Sequence, residues 1–495
     1  MLKSPNRRII VIQVYHNLID RDERDDRMKK IDRLAGAWPV HLGQVVELNI
    51  IGLTHDAQGV GQVSGYTLFV DGAIPGDVVM AEVTKCNKSY GFARLMEVMV
   101  ASDDRIEAPC VVFSRCGGCQ LQNMAYDAQL QWKQTHVADR LHRIGKLYEV
   151  QTQPYHVHNT IGMADPWRYR NKVQIPVAQG VNSKIEMGFY AKQSHHVVDT
   201  NTCLIQHEHA DRIAGVIRDE ATKLNVAPYD EKSHTGCLRQ VMIRVGYHTG
   251  EVMVVLVTNG DQLPHREAFI TAIRDVVPSV VSIIQNINDR RTNVIFGNKF
   301  SLLWGKESII DSIHDVQFEI SARSFFQVNP IQTEVLYQKA VAYAGLTGEE
   351  SVVDAYCGIG TISLFMARHA RHVYGVELVE AAIADAQRNS LLNGITNVTF
   401  EVGMAEVVLP KWREQGVEVD VIVVDPPRKG CDIVFLQTAV IMAPTKIVYV
   451  SCNPTTLARD ARILIENGYR IVEVQPVDMF PHTTHVECVA LFERV

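Results

Sequence analysis

Three short apolar runs, each broken off at chemically loaded residues, constrain this chain more than any other feature. They are SVVDAYCGIGTISL from Ser351, VDVIVVDPPRKG from Val419 and KIVYVSCNP, which ends in Ser451-Cys452-Asn453-Pro454. Runs rich in β-branched residues that stop abruptly at Asp, Cys, Gly or Pro read as buried parallel strands. Open α/β sheets bind ligands at the carboxyl ends of such strands, so a thiol there faces a site. Together the runs point to an enzyme with a nucleotide-like cofactor and a cysteine nucleophile.

A chain of 495 residues is long enough for two to four domains. Its formal net charge of -7 excludes a global basic signature, so a nucleic-acid partner has to be met by local patches. No apolar stretch reaches the ~18–20 residues of a membrane span. The N-terminal run IIVIQVY is short for a signal peptide and lacks a small-residue cleavage pattern. The expectation is a cytoplasmic protein whose ten cysteines are thiols, ligands or nucleophiles rather than disulfides.

Residues 1–42 are a charged extension. Residues 43–101 alternate as five short strands between Gly, Asp and Pro, which predicts a small oligonucleotide-binding type of β-barrel. Lys85, Lys88, Tyr90, Phe92 and Arg94 mix cations and aromatics as a single-strand binding face would. Residues 102–320 read as an α+β module. It opens with an amphipathic helix over about 120–146, which Tyr126, Leu130, Val137, Leu141 and Ile144 would seat in a core. Arg168, Arg170 and Lys172 form a compact basic cluster suited either to phosphates or to a solvated edge. From residue 321 to 495 the pattern becomes βα repeats, predicting an α/β fold with a doubly wound, mainly parallel sheet and a terminal hairpin.

Gly358 and Gly360 lie between a strand and a helix, where a cofactor can approach backbone closely. Glu377 ends the next strand, where an acid can take both ribose hydroxyls. The third glycine of a dinucleotide fingerprint is replaced by Ser363, so S-adenosylmethionine (SAM), which has no pyrophosphate, fits better than NAD. Asp425 to Arg428 resembles the Asp-Pro-Pro-aromatic motif of amino-group methyltransferases, with Arg428 in the aromatic position. That argues for a carbon target. Pyrimidine C5 accepts a methyl group only after a thiolate has added at C6, and Cys452 can be that thiolate.

SCNP at Cys452, DPPRKG at Asp425, SFFQVNP at Ser324 and FPHTTHVE at Phe480 together resemble the RNA uracil-C5 methyltransferase family. The barrel, with GAIPGDVV from Gly72, resembles a TRAM domain. The resemblance runs from residue 43 to the C-terminus. It implies that Cys452 is the nucleophile and Glu487 the base that removes the C5 proton. It also implies that Gln327, Tyr356, Glu377 and Asp425 line the SAM and uracil pocket. His482 and His485 are candidates to tune Glu487, to contact RNA or to hold the chain in place. Cys431, beside DPPRKG, is the rival nucleophile, as cytosine-C5 chemistry would use it.

Cys110, Cys116 and Cys119 form C-x5-C-x2-C, with Gly117 and Gly118 allowing a tight wrap and Cys203 as a fourth ligand. Spacing alone permits zinc or an iron–sulfur cluster; the family resemblance implies [4Fe-4S]. It further implies structured RNA as the partner, 23S rRNA ahead of tRNA, with no obligate protein partner. A cytosine-C5 RNA methyltransferase and a non-catalytic iron–sulfur RNA-binding protein are the other readings.

Overall fold

The computed structural model describes residues 39–180 and 184–495, so the charged extension lies outside the described residues up to position 38. Two compact units make up the chain. Of the described residues, one holds 39–109 together with Gln120–Ala128; the other holds Cys110–Cys119 and those from Gln129 to Val495.

In the first unit the strands are Val45–Asn49, Gly52–Leu53, Gln58–Val63, Tyr66–Asp71, Val78–Cys86 and Tyr90–Val100. They form one sheet in the order first, fifth, sixth, fourth, third, second. The sixth strand beyond the five expected is Gly52–Leu53, too short to leave a period in the sequence. Alternation fixes the faces: Leu48, Leu68, Val70, Val79, Ala81 and Val83 point into the core. Phe69, Tyr90 and Phe92 belong to the opposite face, with ring centroids 5.6–5.8 Å apart. Lys85 lies over the Phe92 ring. Asp77, buried at the end of the GAIPGD turn, accepts from the Ile74 and Ser102 N–H groups and from the Arg105 guanidinium.

The described residues of the second unit form two large sheets and a two-stranded one. Seven strands from Lys172 to Gly305 form a mostly antiparallel sheet covered by the helices Glu208–Lys223 and Arg266–Val276. Ser308–Ile313 and Val316–Ser321 then make a hairpin. The C-terminal sheet contains Ser351–Ala355, His372–Glu377, Val398–Val402, Val421–Val424, Lys446–Ser451, Tyr469–Val477 and Glu487–Arg494, edged by His156–Val157. The first five of these C-terminal strands run parallel to one another. Glu487–Arg494 inserts antiparallel between Lys446–Ser451 and Tyr469–Val477. Strand order reverses between Ser351–Ala355 and Val421–Val424, the point where such sheets open a crevice. Val352, Val421, Val423 and Val448 enter the core on one face, while Val353, Ile422, Val424 and Ile447 enter that on the other. Burial on both faces is why these strands read as continuous apolar runs.

The helix Tyr126–Arg140 continues as a π-helical turn, Leu141–Gly145. Val137 and Leu141 are buried as expected, but Ile144 is 45% exposed. The buried line is Gln129, Lys133, Val137 and Leu141 at a spacing of four, and Ile144, inside the wider π turn, falls off it.

Burial raises the Asp77 carboxyl, but Arg105 and the two backbone donors outweigh it and hold the group below its ordinary value. A depressed acid contributes stability that is present above the unfolded pKa and lost as pH falls through the folded one. Asp77→Asn should cost about 2–3 kcal/mol at pH 7, and the difference from wild type should shrink below about pH 4. Urea denaturation at several pH values reads both.

Candidate active site

The site is set by one strand pairing. Ser451 pairs with Cys488 across the antiparallel ladder. One residue further, where Lys446–Ser451 ends and Glu487–Arg494 begins, Cys452 comes opposite Glu487. Side chains directly opposite each other have Cβ atoms about 4.5–5.5 Å apart. Asp425 ends the neighbouring strand Val421–Val424. Asn453 joins the loops: its amide donates to the Arg428 carbonyl at 3.1 Å and its side-chain oxygen caps the helix Pro454–Glu466.

Electrostatics bind these groups together. Glu487 is 3% exposed, and burial, with Asp425 nearby, pushes its carboxyl up to about 8 against a smaller lowering by Arg428. Burial alone raises Asp425 to about 7. Asp354, in the adjacent strand, is raised to about 7, first by burial. The Cys452 thiol is pushed up to about 12 by burial and then by Glu487 and Asp425, while Arg428 lowers it. The resting site therefore holds a neutral thiol among carboxyls that share few charges. It is suited to receive a cation, which would ionise the acids and draw the thiol toward its thiolate.

The cofactor turn lies on the next strand. Tyr356 adopts φ 72° immediately after Ser351–Ala355, a left-handed conformation uncommon for a bulky residue and typical of functional turns. Gly358 (φ 54°) has nothing within 4 Å where a side chain would begin, leaving room for a ligand. Glu377 receives the Gly358 N–H on one carboxylate oxygen at 3.3 Å and the Val379 N–H on the other at 3.0 Å. This fixes the acid over the turn with lone pairs left for hydroxyl donors. Gln327 is buried, and its carbonyl accepts from the Asn171 amide at 3.1 Å.

Cys431 lies against Tyr356 of the cofactor turn and against Tyr449. It is 5% exposed in the core beneath the sheet, its N–H donated to Asp460 at 2.8 Å and its thiol raised to about 12 by burial. Arg168 donates through one guanidinium nitrogen to the carbonyls of Cys203 and Gln206 and to Asp211. His482 is 4% exposed, stacked on Trp167 with centroids 3.7 Å apart, and held neutral by burial at about 4; His485 is exposed. Of the roles open to His482, packing is the one its surroundings match.

The pattern of the tRNA (Uracil-5-)-methyltransferase family matches residues 306–495, and that of the TRAM domain residues 39–96. An uncharacterized RNA methyltransferase of Halalkalibacterium halodurans is 55% identical over 92% of this chain and 98% of its own. One from Listeria innocua is 53% identical over 90% and 97%. The solved tRNA (uracil-54, C5)-methyltransferase of Pyrococcus abyssi, in complex with S-adenosyl-L-homocysteine, is 28% identical. It superposes with a TM-score of 0.72 over 90% of this chain and all of its own. The chain belongs to the RNA uracil-5-methyltransferase family. It is a SAM-dependent RNA methyltransferase carrying a TRAM domain.

The iron–sulfur expectation is not met in the same way. Cys119 and Cys203 pack into one small apolar cluster with Met163, Tyr169 and Ile205. Burial raises Cys116, with Cys110 adding to it, and raises Cys203 to about 11, with Cys116 a minor contributor. The four thiols thus converge on one locality. Yet among the described residues no group of three or more His, Cys, Asp or Glu is arranged to hold a metal ion. The donor set, all thiol, fits a soft metal or cluster.

Glu487 yields a test of the site's electrostatics. An acid raised in the folded state keeps its proton while the unfolded chain loses its own, so stability falls as pH rises from the unfolded value toward the folded one. Glu487→Gln removes that penalty. It should raise Tm by a few degrees, roughly, at pH 8 and hardly at all at pH 4.5. Differential scanning calorimetry at the two pH values checks the sign.

Proposed function

We propose that this enzyme methylates C5 of a uridine in structured RNA through a covalent adduct on Cys452. The observation that carries the reading is that Cys452 and Glu487, each next to the Ser451–Cys488 pair, lie near enough for the carboxyl to raise the thiol. SAM supplies the methyl group as an electrophile bearing a positive sulfonium. Gly358, Gly360, Tyr356 and Glu377 are the residues to hold it, with Asp425 and Gln327 lining the site. Cys452 adds to C6 of the uracil, which makes C5 nucleophilic toward the methyl group. Glu487, ionised by then, removes the C5 proton; the double bond re-forms and the sulfur leaves. The base has to leave its stack to reach the thiol. The outward Phe69, Tyr90 and Phe92 cluster with Lys85 is suited to stack flanking bases.

The substrate we propose is 23S rRNA, on the resemblance carried by the four cysteines together with the TRAM barrel. One observation favours tRNA instead: the Pyrococcus abyssi protein that shares the fold acts on tRNA. Labelled SAM, total RNA lacking the modification and nucleoside mapping decide between them. Label in 5-methyluridine of 23S rRNA is expected, whereas label confined to tRNA overturns the rRNA reading. Cys452→Ala should lower incorporation by at least about a thousandfold, and Cys431→Ala by less than about threefold. Loss only with Cys431→Ala would favour cytosine-C5 chemistry.

Cys110, Cys116, Cys119 and Cys203 are the residues we propose to hold a [4Fe-4S] cluster, zinc being the alternative. Methyl transfer is redox-neutral, so the cluster's contribution is to brace this part of the fold. Anaerobically purified protein should show a broad absorption near 400 nm, about four irons per chain and a lower Tm after chelation. Colourless protein with one zinc per chain would select the alternative.

A further inference from the structure

The loop 478–486 delivers Glu487 to the site, and it is held in an unusual way. Its first four carbonyls are each taken by a side-chain donor from elsewhere in the chain. The Gln332 amide donates to the Asp478 carbonyl at 3.1 Å. The Asn329 amide donates to that of Met479 at 3.0 Å. The Lys133 ammonium donates to that of Phe480 at 3.1 Å, and the Tyr169 hydroxyl to that of Pro481 at 3.1 Å. Lys133 also pairs with the Asp478 carboxylate at 2.5 Å, both side chains being wholly buried. Next comes His482 at φ 65°, a strained position for a ring-bearing residue. Its N–H donates to Gln129 at 3.1 Å, and its ring lies on Trp167.

Gln332 and Asn329 belong to the region matched by the methyltransferase family; Lys133, Gln129, Trp167 and Tyr169 precede it. A surface loop would leave these carbonyls to water, but Asp478, Met479, His482 and Thr483 are each less than 5% exposed. A buried lysine paired with a buried aspartate is poor value as stability alone, because desolvation offsets most of the attraction. Such a pair instead fixes one geometry at the cost of others. Buried carbonyls likewise accept only where a donor stands, so four donors on three separate segments leave the loop a single path.

We infer that Lys133 and Tyr169 are positioning residues for the proton-abstraction step, so that the segments preceding the methyltransferase fold complete the catalytic base as well as gripping RNA. The inference rests on Glu487 being the base. In that step the C5–H electron pair forms the C5–C6 double bond, the proton passes to Glu487, and the C6–S bond breaks to return Cys452 as thiolate. A loop displaced by loss of a donor leaves addition and methyl transfer intact and slows this step alone.

The test uses the full chain, labelled SAM and a substrate RNA, with Tyr169→Phe, the pair Lys133→Met/Asp478→Asn and Glu487→Ala beside wild type. Tyr169→Phe removes one hydroxyl and keeps the ring, so folding is preserved even if the buried pair tolerates no change. It should lower kcat ~10-fold with KM for RNA and SAM within about twofold. Methyl-labelled, denaturation-resistant enzyme–RNA adduct should accumulate several-fold above wild type, as it should more strongly in Glu487→Ala. A merely structural role predicts a lower Tm and a smaller active fraction without adduct. If adduct accumulates in Glu487→Ala but in neither other variant, the inference falls and the base assignment stands. If it accumulates in none, the base assignment falls and takes the inference with it.

Discussion

The antiparallel pairing of Glu487–Arg494 with Lys446–Ser451 is the constraint on which the rest of the site depends. An otherwise parallel sheet accepts one reversed strand, and the reversal brings the end of one strand to the start of another. Register then does the chemistry's alignment: Ser451 meets Cys488, which brings Cys452 and Glu487, the next residue on each side, near enough for the carboxyl to raise the thiol. A slip of one residue would turn the carboxyl to the other face. The register is locked because Val448 and Val489 enter the core on one face while Ile447, Cys488 and Ala490 enter that on the other.

Burial then sets the electrostatic state. Asp354, Asp425 and Glu487 are all pushed up, and Cys452 is kept a neutral thiol. The proposed cycle of addition, methyl transfer and elimination calls for a thiol inert at rest and a carboxyl that changes protonation between steps. Acids crowded in a low dielectric supply this, because a cation entering among them shifts all of their equilibria together. The same crowding carries a stability cost borne by the rest of the sheet, a common condition of functional sites.

The two sheets of the second unit share a core that includes Met242, Met253, Val255 and Ile284 from one and Val352, Val421 and Val448 from the other. Arg244, wholly buried, donates to the carbonyls of Ser321 and Ser324, just ahead of Gln327. Asn171 does the same to Gln327 itself. Residues far apart in sequence therefore shape one crevice. Substitutions at Arg244 or Asn171 act on the site through the backbone they hold.

The amino-acid sequence by itself determined the α/β class, the strand ends, the glycine turn with Glu377 and the family. These are local signals, since a β-branched run ending at Asp-Pro-Pro or Ser-Cys-Asn-Pro announces a strand and its functional end together. Cys452 was legible in this way, whereas Glu487 was visible only through its resemblance to a family motif. Only the tertiary structure decided that Glu487 faces Cys452, since strand order and register belong to pairs of strands. It also decided that Ile144 is exposed, because a π turn leaves no periodic mark, and that Arg168 braces the backbone at Cys203 and Gln206. Lys133 shows the limit best. In sequence it is one polar residue on an amphipathic helix; it is buried because Asp478, 345 positions away, stands opposite it, and charge pairing over such a separation leaves no local trace.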